Sequence, residues 1–366
     1  MKKSQLIYQY IREQGAVSKQ DIVIGLGLSL PTITQNLNNL AELGLIDTSK
    51  KISNTGGRNA TAYSYIEKAR YAVGLYLNRH HINCVAVDLS GNVISLIRVR
   101  ENFDLNDDNY LRKIGETVEE VKKDTGLSDD RFLGVGIAVQ GLISDDGERV
   151  TYGLTLNFTG VTRADIAKYI PYHNRLFHDS AAAGYAEVWD RNDLDDAFYL
   201  SLSNSVGGAV IVANKIFEGE RRKSGEIGHM TIIPKAGDRC YCGQRGCFDT
   251  VCRANVLAEY ADGDLEKFFE LLETKDLGAR RHRNRYLEYL SIGIHNIRML
   301  YDTKIVIGGY VGAYIEKYME DLCARVDARD SFKEKSERYL VPSKYKKEPT
   351  GVGAAIHMID EFFEII

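Results

Sequence analysis

One segment, GEIGHMTIIPKAGDRCYCGQRGCFD from Gly225 to Asp249, constrains this 366-residue chain more than any other. It sets His229 one loop away from Cys240, Cys242 and Cys247. One imidazole and three thiolates at such spacing suit tetrahedral zinc and little else. Four protein ligands leave no open coordination position, so the expected metal is structural rather than catalytic. Glu226 stands three residues before the histidine, and Asp249 two after the last cysteine. A closed metal knot would hold both carboxylates at the rim of a pocket suited to a small polyhydroxylated ligand.

The length implies two or three domains. Charged and apolar fractions of 27% and 44% are those of a soluble globular protein. No window is apolar enough to span a bilayer, and MKKSQLIYQY lacks the apolar core of a signal peptide. No membrane partner is therefore expected. Cys84, Cys252 and Cys323 show no pairing logic beside the ligand cluster, which points to a reducing, cytoplasmic setting. The net charge of −4 is unevenly spread. Residues 1–70 hold nine Lys/Arg against five Asp/Glu, a local +4 that leaves −8 for the remainder. A basic segment on an acidic body fits a nucleic-acid-binding module joined to something else.

The first seventy residues carry the pattern of such a module. Leu6, Ile7, Tyr10 and Ile11 recur at helical spacing up to Gly15. Ser18 caps a second helix, with Asp21 three residues on and Ile22 inside, and Gly27 ends it. Ser29 caps a third helix with Pro31 and Thr32 in its first turn and Ile33, Leu37 and Leu40 as its inner stripe. Helix, glycine turn, helix is the helix-turn-helix pattern. The outer face of the third helix offers Thr32, Thr34, Gln35, Asn36, Asn38 and Asn39, short or amide groups that read base edges without repelling phosphate. With Ser29, these are the candidate DNA-binding residues. Lys50-Lys51, Asn54-Thr55-Gly56-Gly57-Arg58 and the alternating Thr61-Tyr63-Tyr65 make two strands around a basic loop. That is a wing, and it sets Lys50, Lys51 and Arg58 against phosphates or the minor groove. Residues 1–70 are thus expected to form a winged helix-turn-helix domain on double-stranded DNA.

From Tyr71 the texture changes. Short apolar runs at 71–77, 82–88, 93–98, 132–139, 198–203, 208–213 and 304–307 predict strands, with a helix over 108–124. Strands with glycine-rich exits, interleaved with helices, indicate α/β architecture with ligands at strand ends. Internal duplication shows only as the recurring strand-then-glycine pattern.

The motifs GLSLPTITQNLNNLAELGLI, NTGGR, HDSAAAGYAE at 178–187, GEIGHM, CYCGQRGC and IVIGGYVG at 305–312 resemble the ROK family (repressor, open reading frame, kinase), in its transcriptional-regulator branch. The resemblance covers nearly the whole chain. It implies that residues 71–366 form a two-lobed sugar-kinase fold of the actin and hexokinase type, hinged near residue 180, for effector binding and dimerisation. In kinases of this family an Asn-Asp pair binds sugar, and the Asp is the general base. The matching pair is His178-Asp179. The family's sugar-contacting Glu and His match Glu226 and His229, and its Glu after the last cysteine is the shorter Asp249. Asn157 joins this sugar-binding set.

The nucleotide side departs from the family. Its first phosphate loop, Asp-x-Gly-Gly-Thr, is Tyr76-Leu77-Asn78-Arg79-His80 here, and the second reads Ser203-Asn204-Ser205-Val206-Gly207-Gly208. Gly308-Gly309-Tyr310 keeps the adenosine-side turn. Phosphoryl transfer rests on positioning and charge neutralisation by such loops, so ATP use should be lost, with Asp179 a vestigial base. The expected protein is a sugar-responsive repressor of xylose or hexose metabolism, acting on palindromic DNA as a homodimer or dimer of dimers. The alternatives are an active ATP-dependent sugar kinase that also binds DNA, and a DNA-binding protein with no ligand.

Overall fold

The computed structural model describes residues 2–52, 60–189, 191 and 193–366. Side-chain caps set the ends of its first helices. α1 (Lys3–Gln14) stops at Gly15, α2 (Lys19–Leu26) starts at Ser18, and α3 (Leu30–Glu42) starts at Ser29. Ser18 and Asp21 cap one another reciprocally, and Ser29 Oγ accepts from Thr32 N. Gly27 takes φ +63° to reverse the chain between α2 and α3, a region open to glycine at no steric cost. Ile7, Ile11, Ile22, Ile33, Leu37 and Leu40 meet inside. Tyr8 joins them, whereas Leu6, expected in the stripe, is 36% exposed. β1 (Ile46–Asp47), β2 (Lys51–Ile52), β3 (Ala60–Thr61) and β4 (Ser64–Tyr65) pair antiparallel as β1–β4 and β2–β3. The run Thr61-Tyr63-Tyr65 is therefore split between two pairings. The loop Asn54–Arg58 between β2 and β3 lies outside the described residues.

The next unit contains β5 (Tyr71–Leu77), β6 (His81–Asp88), β7 (Val93–Arg100), α4 (Asp108–Asp124), β8 (Phe132–Val139), β9 (Leu142–Ile143), β10 (Val150–Tyr152), α5 (Arg163–Ile166) and β11 (Asn174–His178). Its five-stranded sheet runs β11-β8-β5-β6-β7. α6 (Asp179–Val188) leads out of it. The last unit contains β12 (Ala197–Leu202), β13 (Val206–Val212), β14 (Lys215–Phe217), α7 (Asp249–Cys252), α8 (Asn255–Ala258), α9 (Leu265–Glu273), α10 (Leu277–Tyr301), β15 (Lys304–Gly308), α11 (Gly309–Ile315), α12 (Met319–Asp327) and β16 (Leu340–Pro342). Its sheet runs β14-β13-β12-β15-β16, and α13 (Pro349–Ile365) follows.

The two sheets share one plan. Each begins with an antiparallel meander, adds two parallel strands on the far side of its first strand, and exits into a helix. By this duplication α6 and α13 are equivalent helices, and they pack on each other. The approach is so close that a Cβ on Gly353 would sit 1.8 Å from the Ala182 carbonyl oxygen. Gly74 of β5 lies equally tight under Gly351. One apolar cluster then runs from Ile11, Ile33 and Leu40 through Ala72 and Val85 to Ala186, Trp189, Ile356 and Ile359. The N-terminal helices thus share a core with the first sheet and α13.

Candidate functional site

The segment from Gly225 folds as a knot on the second lobe. Residues Ile227–His229 form a 3-10 turn that presents the histidine. Cys240 N donates to Gln244 O at 2.8 Å, Gly243 N to Cys240 O at 3.0 Å, and Phe248 N to Met230 O at 2.8 Å. Gly246 (φ +71°) packs where any Cβ would strike the Ile233 carbonyl. These bonds gather one donor atom from each of His229, Cys240, Cys242 and Cys247 within 4.8 Å of one another. Tetrahedral zinc with ordinary Zn–S bonds needs sulfurs about 3.8 Å apart. Cys242 and Cys247 Sγ lie 3.7 Å apart, and Cys240 Sγ is 3.7 Å from His229 Nδ1. The four residues fit a closed metal site with no position left for substrate.

The other nitrogen of His229 turns away from the knot. Nε2 lies 3.3 Å from Tyr241 OH and 3.9 Å from Glu226 Oε2. Glu226 Oε1 in turn reaches His178 Nε2 at 3.5 Å, and His178 Nε2 is 3.4 Å from Asp179 Oδ1. Asp179 opens α6, where the helix dipole favours a carboxylate, and accepts from Ser180 N at 2.7 Å. Gln140, Thr155, His178, Asp179, Glu226 and Tyr241 line a cleft of about 40 Å³ between the lobes. Gln140 is 6% exposed, and its amide lies beside the Tyr76 hydroxyl. The imidazole of His178 and the carboxylates of Asp179 and Glu226 supply both donors and acceptors to the cleft.

Two expected members stand elsewhere. Asp249 is 1% exposed, and its Oδ1 accepts from Val206 N at 2.8 Å. It begins α7 directly behind the knot, so its carboxylate turns under β13 rather than into the cleft, and burial pushes it above the usual carboxylate range. Asn157 is exposed in a left-handed turn (φ +55°) outside the cleft lining. Conversely, Tyr241 and Gln140 were not among the sequence candidates. Tyr241 between two metal ligands and Gln140 at the Gln-Gly exit of β8 were the signals available.

On the nucleotide side, Asn78 fills the β5–β6 turn. Its Oδ1 accepts from His80 N and His81 N at 3.0 and 2.9 Å, and its Nδ2 donates to Tyr310 OH at 3.2 Å. This side chain thus bonds two backbone amides of its own turn. Gly207 and Gly208 lie against Ser180 and the Phe198 ring, so close packing alone accounts for them. A wider cleft of about 680 Å³ adjoins, with His80, Arg98 and Arg100 on one wall and Asp262, Asp264 and Glu266 on the other.

On α3, Gln35, Asn38 and Asn39 are exposed and Thr34 is half-buried. Asn36 departs from expectation: its Nδ2 donates to Thr32 O at 2.8 Å, within its own helix. Ser29 and Thr32 bond each other at 2.9 Å in the cap. Arg58 lies outside the described residues.

Two lobes of duplicated plan around a cleft define a sugar-kinase-like α/β fold. The family model described as the ROK family matches residues 72–361, and the chain belongs to that family. It is 23% identical over 375 residues to the xylose repressor of Bacillus subtilis (strain 168), covering 99% of this chain and 96% of that one. It is 24% identical over 278 residues to the N-acetylglucosamine repressor of Escherichia coli O157:H7, covering 70% and 63%. Among solved structures, a ROK family transcriptional regulator described as a homolog of the E. coli MLC protein superposes with TM-score 0.75 at 19% identity, over 99% of this chain and 97% of that one. The ROK hexokinase from Thermus thermophilus reaches 0.62 at 24% identity, over 80% and 99%. No helix of the described residues is long and apolar enough to cross a membrane.

Proposed function

We infer that this protein is a sugar-responsive transcriptional repressor whose kinase-like cleft senses a sugar without phosphorylating it. The carrying observation is a contrast between the cleft and the turn after β5. The cleft offers His178, Asp179 and Glu226, while Asn78 bonds the backbone amides of His80 and His81 in the turn where a phosphate loop would lie. Phosphoryl transfer has little to work with once such a loop is closed. Relatives named as repressors, one of them matched over 99% of this chain, support the same reading. His229, Cys240, Cys242 and Cys247 would hold zinc, which would supply structural cross-linking only and keep Glu226 and Tyr241 in place.

The N-terminal 70 residues act as a winged helix-turn-helix, with α3 in the major groove. Two copies in a dimer would address a palindrome with half-sites a helical turn or a multiple apart. Sugar closing the lobes shifts the DNA modules and lowers operator affinity, a coupling typically worth about 1–3 kcal/mol. Gln35→Ala should cost about 1–3 kcal/mol in specific binding and leave nonspecific binding nearly intact. Competition assays with random duplex check this, and equal losses on both DNAs would show that α3 presents another face.

Glu226 is 31% exposed, and its removal should spare the fold. Glu226→Gln is expected to weaken sugar binding by about 1.5–3 kcal/mol, the worth of a hydrogen bond to a charged acceptor. Calorimetry with the tightest-binding sugar reads this, and an unchanged Kd removes Glu226 from the site. The kinase reading is tested by a coupled assay with MgATP and a panel of pentoses, hexoses and amino sugars. The expected result is no turnover. Turnover that disappears in Asp179→Asn would establish the kinase instead.

A further inference from the structure

One helix joins the sugar cleft to the N-terminal module. α6 begins with Asp179 in the cleft and ends at Val188, with Trp189 as its C-cap. At 1.5 Å per residue it spans about 15 Å. Trp189 is the chain's only tryptophan and is 8% exposed. Its Nε1 donates to Asp360 Oδ1 of α13 at 2.9 Å. The Arg12 guanidinium of α1 lies over the indole, 4.7 Å from the ring centroid, and 5.8 Å from the Phe363 ring of α13.

α13 completes the joint. Its Asp360 also accepts from Tyr185 OH of α6, and its His357 is stacked between Phe177 and Tyr185 at 4.6 and 4.1 Å. The seam between the two helices has no side chain at Gly353, only backbone against backbone. Side chains from the start of the chain close the far end of α13. Lys2 Nζ donates to Ile365 O at 2.8 Å, Ser4 Oγ to Ile366 O at 2.9 Å, and Gln5 Nε2 to Phe363 O at 2.7 Å. The last carbonyls of a helix lack intrahelical partners, so these bonds fix α1 to the final turn of α13. α1 is thereby bolted to α13 while Arg12 rests on the end of α6. α6 thus runs from Asp179 in the cleft to Trp189 beneath Arg12 of α1.

We propose that Arg12, seated on Trp189, is the positioning residue through which the α6–α13 pair passes the state of the sugar cleft to the DNA-binding module. This rests on the sensor reading above. Arg12 touches neither sugar nor DNA in this scheme. A merely structural anchor would change stability or affinity but leave the coupling between ligands intact.

The test uses the full chain, a labelled duplex selected from a randomised library by the protein itself, and D-xylose, D-glucose and N-acetyl-D-glucosamine as probes. The readout is the ratio of DNA Kd with and without saturating sugar, beside sugar Kd and the emission of Trp189. In the wild type at least one sugar should change DNA Kd by about fivefold or more. In Arg12→Ala the ratio should fall below about twofold while sugar Kd and the Trp189 response persist. Arg12→Lys should restore part of the ratio, because an ammonium also sits favourably on an indole face. A wild-type ratio in Arg12→Ala overturns the relay alone. Should Arg12→Ala fail to fold, Trp189→Phe keeps the relay open to refutation: it should reduce the ratio, and an undiminished one overturns the relay. Absence of any sugar effect in the wild type overturns the sensor reading and the relay with it.

Discussion

Cys242→Ser protein should come off purification with well under one zinc per chain and should no longer respond to sugar. Structural zinc sites contribute about 10–16 kcal/mol of apparent binding energy, and that energy depends on a full ligand set. Cys242 is half-buried at the outer end of the knot, 3.7 Å from Cys247 Sγ, so serine is accommodated sterically but supplies a poor ligand. The consequence is local. Tyr241 lies between two of the ligands, and Glu226 stands one short turn before the third. Loss of the knot frees both from the cleft, and sugar affinity should drop at least about tenfold, the equivalent of one charged hydrogen bond. Metal analysis and calorimetry on the same preparation read the two effects. Full zinc occupancy would mean a different ligand set. Lost zinc with unchanged sugar affinity would uncouple the knot from the cleft.

The second large effect concerns a carboxyl remote from the metal. Glu348 is 8% exposed at the N-cap of α13, in a left-handed conformation (φ +47°) just before Pro349. Burial pushes its pKa up to about 7, and Arg98 offsets only part of that. The folded state therefore binds this proton more tightly than the unfolded state, where the carboxyl titrates near its ordinary 4.5. The resulting contribution to stability is complete below pH 4.5 and is lost as pH rises through 7. The difference amounts to about 3 kcal/mol. Glu348→Gln removes the titration. It should exceed the wild type by under about 1 kcal/mol near pH 5 and by up to about 3 kcal/mol near pH 8. Comparing the Tm difference between the two proteins at both pH values isolates this group from ligands that titrate in both. A constant difference across that range contradicts the assignment.

Sequence reading succeeded where local chemistry decides the structure. Ser18, Ser29, Gly15 and Gly27 mark helix ends because caps and left-handed turns act over three or four residues. The strand Phe132–Val139 and the helix Asp108–Asp124 carry their periodicity within their own length. The cluster of His229, Cys240, Cys242 and Cys247 was legible because the knot is nearly contiguous. What escaped is non-local. The duplicated sheet plan leaves only the recurring strand-then-glycine pattern in residue identity, since either lobe can be built from any apolar strand set. Asp249 reads as a rim carboxylate until the start of α7 is seen to rotate it beneath Val206. Asn78 reads only as a residue replacing a phosphate-loop glycine, whereas in the structure it bonds the amides of its own turn. The capping of α13 by Lys2, Ser4 and Gln5 spans the whole chain and has no sequence signature.

The central claim is that sugar in the cleft controls DNA binding without being phosphorylated. Fluorescence anisotropy of the selected duplex with the full-length protein, titrated with each sugar in the absence of ATP, tests it most directly. The expected result is that one sugar raises the DNA Kd by about 5–150-fold, reversibly on dilution. An identical DNA Kd at saturating concentrations of every sugar that binds the protein would contradict it.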